Sequence, residues 1–234
     1  MFVFAHRGAS AIAPENTLLA IRKALEMEVD GIEIDIHSIE GELLVFHDRW
    51  LHRCTNGKGR LTDHSLAELR ALDAGKGERI PLLWELLSEI RGTCTLNIEI
   101  KELDEPGVLI SMVDKAIKEL GFRREQLPIS SFNHHLLRRI KLLKPEHPIG
   151  ALTASIPLDY AAFAQRLGAV SLNAALSCIC PELIQDAKSK GLKTYVYTVD
   201  QEQDMEMLAS WGVDGIFSNY PDRAMAFCRD LPKA

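Results

Sequence analysis

The feature that most constrains the fold is an alternation of short apolar runs with helical patterns along almost the whole 234-residue chain. Runs of four or five residues bounded by turn residues are typical of buried strands, and apolar residues at spacings of three and four indicate helices. The predicted strands are residues 2–5, 32–36, 96–100, 128–131, 149–152, 169–172, 193–197 and 214–217. Helices are predicted between them, for example over 16–27, 108–120, 134–143, 181–191 and 202–212.

Eight strands separated by helices predict right-handed βαβ units and a parallel sheet. The fold class is therefore α/β, and a closed (β/α)8 TIM barrel is preferred over an open, doubly wound sheet. The segment after the first predicted strand, AHRGAS, contains neither a dinucleotide nor a phosphate-loop fingerprint, which argues against the open-sheet cofactor enzymes. The prediction is a single domain over residues 1–234, with a small insertion after the second strand at about residues 37–80.

Composition excludes several classes of partner. The net charge is −6 and no basic stripe is present, so we expect neither nucleic acid nor an anionic membrane surface as a partner. No apolar stretch approaches the roughly 18 residues of a membrane span, and the N-terminus lacks a signal-peptide pattern. Five unevenly spaced cysteines favour reduced thiols and a cytoplasmic location. The pattern does not specify an oligomeric state.

Acidic residues alternate with isoleucines in the second predicted strand, GIEIDI, at Glu33 and Asp35. An amphipathic strand with one wet face is the simplest interpretation, but a parallel sheet covered by helices has no wet face. The isoleucines would then pack under the helices while the two carboxylates point into the barrel. Buried neighbouring carboxylates are costly unless a cation compensates them. The pattern therefore favours a cation site.

A second strand, LNIEIK, repeats the pattern and adds Glu99 and Lys101 to the polar face. Three carboxylates near the C-terminal ends of two barrel strands suit Mg²⁺ or Ca²⁺ better than zinc. The alternative is a set of buried ion pairs with Lys101 and Arg7. The metal interpretation is preferred.

Two histidines end apolar runs, His6 in FVFAH and His47 in LLVFH, where barrel enzymes carry catalytic groups. Such a pair suits general acid and base catalysis, and Arg7 and Lys101 suit a phosphoryl group. His37 shares the face of the acids and is a candidate for a supporting role. Solvent-exposed positions in loops or at helix ends are expected for His52, His64, His134, His135 and His147.

The motifs AHRG, APENT, GIEIDI, VFHD and NIEIK, in this order and spacing, resemble the glycerophosphodiester phosphodiesterase family. The later segments SFN, YTVD and GVDGIFSNYPD are also similar, so the resemblance covers nearly the whole chain. It implies hydrolysis of a small-molecule glycerophosphodiester to sn-glycerol 3-phosphate and an alcohol. The implied roles are metal binding for Glu33, Asp35 and Glu99, acid and base catalysis for His6 and His47, phosphate contacts for Arg7 and Lys101, and loop shaping for Glu15 and Asn16.

Three positions depart from the family pattern. Tyr197 stands where the family usually has Trp, and we expect it to form an aromatic wall for the glycerol group. Asp200 replaces the usual Asn and adds a charge near the barrel top, while Asn219 replaces a common Asp and suggests a changed helix cap. Asp48 either orients His47 or caps the next turn. The acid and the base are not distinguished by the sequence.

Two other functions stay open at this point. One is a different phosphodiesterase on the same barrel, for example a phospholipase-like enzyme. The other is a non-catalytic metal-binding barrel.

Overall fold

A computed structural model describes residues 1–230, which form eight parallel strands closed into a barrel and one additional antiparallel strand. The strands are β1 (Phe2–His6), β2 (Gly31–Ile39), β3 (Glu42–Val45), β4 (Thr95–Glu102), β5 (Ile129–Ser131), β6 (Ile149–Thr153), β7 (Ser171–Ala175), β8 (Lys193–Tyr197) and β9 (Gly215–Ser218). β1 pairs with both β2 and β9, which closes the barrel. The predicted (β/α)8 fold is confirmed.

A helix precedes each barrel strand after the first, and α9 follows the last one. The helices are α1 (Leu18–Glu26), α2 (Leu66–Ala71), α3 (Leu83–Ile90), α4 (Pro106–Leu120), α5 (His134–Leu143), α6 (Ala162–Arg166), α7 (Pro181–Ser189), α8 (Glu202–Ser210) and α9 (Pro221–Asp230). In the part of the chain that the structure describes, no helix is both long and apolar enough to cross a membrane. β7 starts two residues later than the strand predicted over residues 169–172, because the Ala169 amide still bonds to the carbonyl of Ala164 in α6.

The insertion lies between β2 and α3, as the sequence predicts. β2 and β3 form an antiparallel hairpin whose two-residue turn, Glu40 and Gly41, has φ values of 51° and 83°. Two successive positive φ angles are those of a tight type I′ turn, which suits the twist of the flanking strands. The insertion has a small apolar core of its own: Ile39, Leu44, Phe46, Leu51, Leu61, Leu69, Ala74 and Ile80. A single domain over the whole chain stays a prediction.

The two ends of the barrel interior differ in chemistry. Aromatic rings fill the N-terminal end, where Phe4 stacks on Phe217 with ring centroids 4.7 Å apart and meets Tyr195 edge-on. Inward-facing acids occupy the C-terminal end, since the register pairs Asp35 with Glu99 on neighbouring β2 and β4. The intervening isoleucines belong to the main core beneath the helices. An apolar floor therefore lies under the polar cluster.

Candidate active site

Glu33, Asp35 and Glu99 form one buried cluster at the C-terminal end of the barrel. One carboxylate oxygen from each lies within 4.8 Å of those of the other two. Their exposures are 2%, 1% and 8%, so the group is almost fully removed from solvent. The close approach follows from strand register, because β2 and β4 pair in parallel and present these side chains on the same inward face.

Two cationic side chains accompany the cluster, and both of them contact Asp35. Lys101 Nζ lies 3.0 Å and Arg7 Nε lies 3.2 Å from its carboxylate oxygens. Lys101 also contacts Glu99. Burial by itself would raise the pKa of Asp35, but Lys101 and Arg7 outweigh it and hold the pKa below its usual range. The ion pairs that the sequence suggests as an alternative are therefore present, and they compensate the charge of Asp35 better than the charges of Glu33 and Glu99.

Glu33 has much less compensation than Asp35. Its Oε2 accepts a hydrogen bond of 2.9 Å from the backbone N–H of Arg7. Its Oε1 is buried and has no hydrogen-bond partner among residues 1–230. Burial, followed by the charges of Asp35 and Glu99, raises the pKa of Glu33 well above its usual range. An unpaired buried carboxylate oxygen is costly, and its position beside two other carboxylates fits the oxygen ligands of a divalent cation.

Glu99 shows the same imbalance. Burial and the Asp35 charge raise its pKa to about 7, although Lys101 opposes the shift. Three clustered carboxylates with two neighbouring cations, Arg7 and Lys101, carry an excess negative charge when all are ionised. The donor set therefore fits a hard, oxygen-liganded cation, and the cluster can hold a metal.

The loop from β1 to α1 places Arg7 and Asn16 against the cluster. Arg7, Gly8 and Asn16 all have positive φ, of 58°, 77° and 58°. Asn16 donates to the Asp35 carboxylate at 2.9 Å and accepts from the Asp35 backbone N–H at 3.2 Å. Asn is among the residues that best tolerate this backbone conformation. Asn16, for which a loop-shaping role is predicted, thus also bonds directly to Asp35 in the cluster.

His6 lies at the end of β1, with its side chain 15% exposed. Its Nδ1 is 2.8 Å from Asn219 Oδ1, and its Nε2 is 3.9 Å from Glu33 Oε2. Burial and then the Arg7 charge lower the pKa of His6 to about 4. The ring is therefore neutral near pH 7 in the protein as it stands.

His47 follows β3 and is held from two sides. Its Nδ1 lies 2.6 Å from Asp48 Oδ1, and its backbone carbonyl lies 3.2 Å from His37 Nε2. Burial lowers the pKa of His47, while the Asp35 and Asp48 carboxylates oppose the change. The hydrogen bond between His47 and Asp48 favours the interpretation in which Asp48 orients His47. The separate contact of His37 with the His47 carbonyl places His37, which is 3% exposed, against the loop that carries His47.

A residue that the sequence interpretation missed, Arg53, links the two histidine loops. Arg53 donates to Asp48 and also, through two nitrogens at 2.7 Å each, to Glu15. Glu15 in turn accepts from Arg7 at 2.7 Å. Burial alone would raise the pKa of Glu15, but Arg53 and Arg7 lower it to about 2. Because Arg53 lies in the insertion, no local spacing pattern relates it to the other motifs.

Two predicted histidine environments are wrong. His147 is 1% exposed and donates from Nε2 to the Leu127 carbonyl at 2.9 Å, although a solvated position was expected. His134 is half-buried, with its Nε2 2.8 Å from the Leu152 carbonyl and its ring stacked on Phe163. Both imidazoles bond to backbone carbonyls about 20 residues away in sequence, which a position in a loop or at a helix end does not reveal.

Tyr197 ends β8 with its ring half-buried. Its hydroxyl donates to the Thr153 carbonyl at 2.8 Å, and the exposed Phe132 meets its ring edge-on at 6.0 Å. Burial raises the pKa of the phenol, so it stays protonated as a donor. The ring is therefore held rigidly at the barrel end, as a wall residue would be.

Asp200 and Asn219, the other two departures from the family pattern, contact each other. Asn219 donates from its backbone N–H and from Nδ2 to the Asp200 carboxylate at 2.8 and 2.7 Å. The Asn219 side chain faces Asp200 on one side and His6 on the other, so the predicted helix-capping role is wrong. The reason is tertiary, since β8 and β9 are neighbours and bring the two loops together.

Comparison with known proteins is consistent with this geometry. The sequence model of the glycerophosphoryl diester phosphodiesterase family matches residues 6–223. A glycerophosphodiester phosphodiesterase of Caldanaerobacter subterraneus subsp. tengcongensis is 40% identical, with 97% of each chain covered. One from Bacillus subtilis is 35% identical over 93% of this chain and 83% of its own.

Solved structures agree with the sequence comparisons. A phosphodiesterase of Oleispira antarctica, in complex with the product sn-glycerol-3-phosphate, superposes with a TM-score of 0.89 at 31% identity, covering 98% of this chain and 97% of its own. A glycerophosphodiester phosphodiesterase from Agrobacterium tumefaciens gives 0.81 at 28% identity, covering 97% and 99%. The chain therefore belongs to the glycerophosphoryl diester phosphodiesterase family and is a glycerophosphodiester phosphodiesterase.

Proposed function

We propose that this enzyme hydrolyses glycerophosphodiesters with a divalent cation, Mg²⁺ or Ca²⁺, held by Glu33, Asp35 and Glu99. The observation that carries the proposal is the unpaired, buried Oε1 of Glu33 beside two further carboxylates. A bound cation would supply electrostatic stabilisation of the negative charge that develops on the phosphoryl group. Hard oxygen ligands favour Mg²⁺ or Ca²⁺ over softer metals.

In this proposal Arg7 and Lys101 bind the substrate phosphate. Both side chains lie beside the acidic cluster at 16% and 19% exposure, which leaves them reachable from the barrel mouth. The pKa of Lys101 is raised because Asp35 and Glu99 outweigh the effect of burial, so the ammonium keeps its charge. Fixed cations that meet a phosphoryl group in a partly desolvated site stabilise the transition state more than they do in water.

His6 and His47 form the acid–base pair. One imidazole takes a proton from the nucleophile, which is either water or a hydroxyl of the substrate glycerol, while the other protonates the departing alcohol. The proposal is supported by their positions, since His6 ends β1 and His47 follows β3, and the pKa values of both rings respond to the charge of Asp35. Tyr197 forms one wall for the glycerol group.

The substrate proposed is a small glycerophosphodiester, and the products are sn-glycerol 3-phosphate and an alcohol. The named activity of the two bacterial relatives and the product bound to the Oleispira antarctica enzyme support this choice. A cytoplasmic location is part of the proposal. It is supported by the five cysteines, all of which are free thiols.

The test offers glycerophosphocholine, glycerophosphoethanolamine and glycerophosphoglycerol to the purified protein with Mg²⁺ or Ca²⁺ and measures released glycerol 3-phosphate. We expect activity with at least one substrate, its loss in EDTA and its recovery when metal is added. Replacing an acid or base catalyst typically lowers the rate by about 10² to 10⁴. His47→Ala should fall in this range, whereas His135→Ala, at an exposed position on α5, should keep the parent rate.

Four results would contradict the proposal. Full activity in EDTA would show that the reaction needs no divalent cation. Unchanged activity in His47→Ala would show that His47 is not an acid or base catalyst. Release of phosphocholine in place of glycerol 3-phosphate would indicate a different, phospholipase-like phosphodiesterase. Metal binding without turnover of any substrate would indicate a non-catalytic barrel.

A further inference from the structure

Asp200 is surrounded by hydrogen-bond donors and is one side chain removed from His6. It follows β8. Of its two partners, Ser218 ends β9 and Asn219 follows it. The Ser218 hydroxyl and the Asn219 backbone N–H donate to Asp200 Oδ1 at 3.0 and 2.8 Å, and Asn219 Nδ2 donates to Oδ2 at 2.7 Å. These bonds fix both the carboxylate and the amide that lies against it.

The chemistry of the groups determines how the Asn219 amide is turned. A carboxylate only accepts hydrogen bonds, so the half of the amide that faces Asp200 must be the NH₂ group. The carbonyl oxygen Oδ1 then faces the opposite way, where it lies 2.8 Å from His6 Nδ1. The Ser10 hydroxyl, which can donate, lies 2.9 Å from the same oxygen and is compatible with this orientation.

The same reasoning extends to the imidazole. An amide carbonyl oxygen cannot donate, so His6 Nδ1 must carry the hydrogen in this contact. In a neutral ring, Nε2 then carries the lone pair. That nitrogen lies 3.9 Å from Glu33 Oε2, on the side of the carboxylate cluster. The tautomer of His6 is therefore set by a carboxylate that never touches the ring.

We propose that Asp200 is a positioning residue that acts through Asn219 to hold His6 with its proton on Nδ1 and its Nε2 lone pair directed at the reaction site. The inference rests on the proposed function and deepens it, because it makes His6 the general base. A lone pair at Nε2 can take a proton there but cannot give one. His47, whose Nδ1 donates to the Asp48 carboxylate at 2.6 Å, then acts as the general acid in its imidazolium form, with the proton to be transferred on Nε2.

The proton balance of the reaction follows from this assignment. The O–H bond of the nucleophile breaks, its proton moves to His6 Nε2, and its oxygen forms the new bond to phosphorus. The bond from phosphorus to the leaving alcohol breaks, and that oxygen takes a proton from His47. Proton exchange with solvent returns both imidazoles to their starting states. Asp200 and Asn219 neither gain nor lose an atom.

Three variants test the link by kinetics. Asp200→Asn removes the group that can only accept, so the Asn219 amide is free to turn over and present its NH₂ group to His6. Asn219→Asp places two carboxylates in contact. The double variant Asp200→Asn/Asn219→Asp again directs an amide NH₂ at a carboxylate, which accepts from His6 Nδ1 and restores the tautomer. We expect kcat to fall about tenfold or more in each single variant, with KM within about twofold, and to recover in the double variant.

Spectroscopy reads the tautomer directly. The full-length chain, labelled with ¹⁵N at histidine, is measured by NMR through the two- and three-bond couplings of the imidazole, and the His6 signals are assigned from a His6→Gln sample. The parent chain should show Nδ1 protonated and Nε2 unprotonated. Asp200→Asn should shift or broaden this signature, and the double variant should restore it. Asp222→Asn, an exposed position in the first turn of α9, should match the parent in kinetics and spectrum.

The outcomes separate this inference from the proposed function. An Nε2-protonated His6 in the parent chain, or an unchanged spectrum and kcat in Asp200→Asn, would overturn the link. A double variant whose kcat equals the product of the two single losses would also overturn it. Thermal unfolding of each variant identifies losses that come from misfolding, and the spectrum still decides for those that fold. If the parent hydrolyses no glycerophosphodiester, the proposed function fails, while the tautomer remains measurable.

Discussion

At the scale of single residues, the three carboxylates of the cluster are chemically similar but their environments differ. Asp35 has two cations and an amide within hydrogen-bond distance, whereas Glu33 has one backbone N–H and a buried oxygen without a partner among residues 1–230. Removing one partner of a buried, well-compensated charge is strongly destabilising, whereas removing an uncompensated charge is not. The carboxylate whose free oxygen is proposed to bind the cation is therefore the one that the metal-free fold tolerates least.

This contrast predicts opposite effects of Glu33→Gln with and without metal. Without a divalent cation, the variant should unfold at the same or a higher temperature than the parent chain, because a buried carboxylate is replaced by a neutral amide. With Mg²⁺ or Ca²⁺ at about 100 times its dissociation constant, the parent should gain about 2.7 kcal/mol and the variant almost nothing. Thermal unfolding with increasing metal concentration measures both effects.

Glu42→Gln, at an exposed position of β3, is the matched control and should respond to metal like the parent chain. An equal rise in melting temperature for Glu33→Gln and the parent would show that Glu33 does not bind the cation. A markedly less stable variant in EDTA would show that the carboxylate is compensated after all.

At the scale of elements, the loop from β1 to α1 depends on one glycine. Gly8 has a φ of 77°, and a Cβ there would lie 2.8 Å from the backbone carbon and from the Cβ of Ala20 in α1. The Gly8 and Ala9 amides are also hydrogen-bonded, to Ala5 and Ala20. The loop that carries Arg7 is thus packed directly onto the helix, and it has no room to shift outward without losing these bonds.

Gly8→Ala is therefore predicted to destabilise the enzyme by more than the backbone conformation alone would require. The left-handed region costs a residue with Cβ about 1–2 kcal/mol, and the contact with α1 adds to this. Gly41→Ala is the control, since Gly41 has a φ of 83° but no atom within 4 Å of the Cβ position. Urea unfolding should give a larger loss for Gly8→Ala, accompanied by a lower kcat. Equal losses would show that α1 moves aside freely.

At the scale of the whole molecule, several buried imidazoles make stability depend on pH. Burial lowers the pKa of His6, His37 and His147 below the ordinary value of 6.5. Below about pH 6.5 these three imidazoles bind fewer protons in the folded chain than in the unfolded chain, whereas Glu33 and Glu99, whose pKa values are raised, bind more. The contribution of the three imidazoles to the free energy of unfolding is therefore complete above about pH 6.5 and is lost as the pH falls below it. His147 lies far from the acidic cluster in the sequence and bonds to a backbone carbonyl.

His147→Gln should make the acid side of this profile flatter. The Gln side chain keeps an N–H that can reach the Leu127 carbonyl, but it does not titrate. Chemical unfolding at about pH 7.5 and about pH 5 should show a smaller difference for the variant than for the parent chain. His64→Gln, whose ring is partly exposed and bonds to the Lys58 carbonyl, should leave the difference unchanged. A variant whose stability depends on pH as strongly as that of the parent would show that protonation of His147 does not contribute to the loss of stability in acid.

Local sequence patterns are enough to predict the barrel and the acids of its cluster. Strand and helix periodicities are local, and a parallel sheet covered on both faces allows no wet face, so the acids of GIEIDI and NIEIK had to meet inside the barrel. The register of β2 and β4 then places Asp35 beside Glu99, as the pattern requires.

The groups that orient the histidines, in contrast, are brought together by contacts between segments that are distant in sequence. Arg53 reaches the His47 loop from the insertion, and Asp200 reaches His6 through Asn219 across neighbouring strands. Likewise, the hydrogen bond of buried His147 is to the carbonyl of Leu127, 20 residues earlier in the chain. Hydrogen bonds of this kind need atoms within about 3 Å and in a suitable direction, and neither condition has a periodicity that a sequence can display.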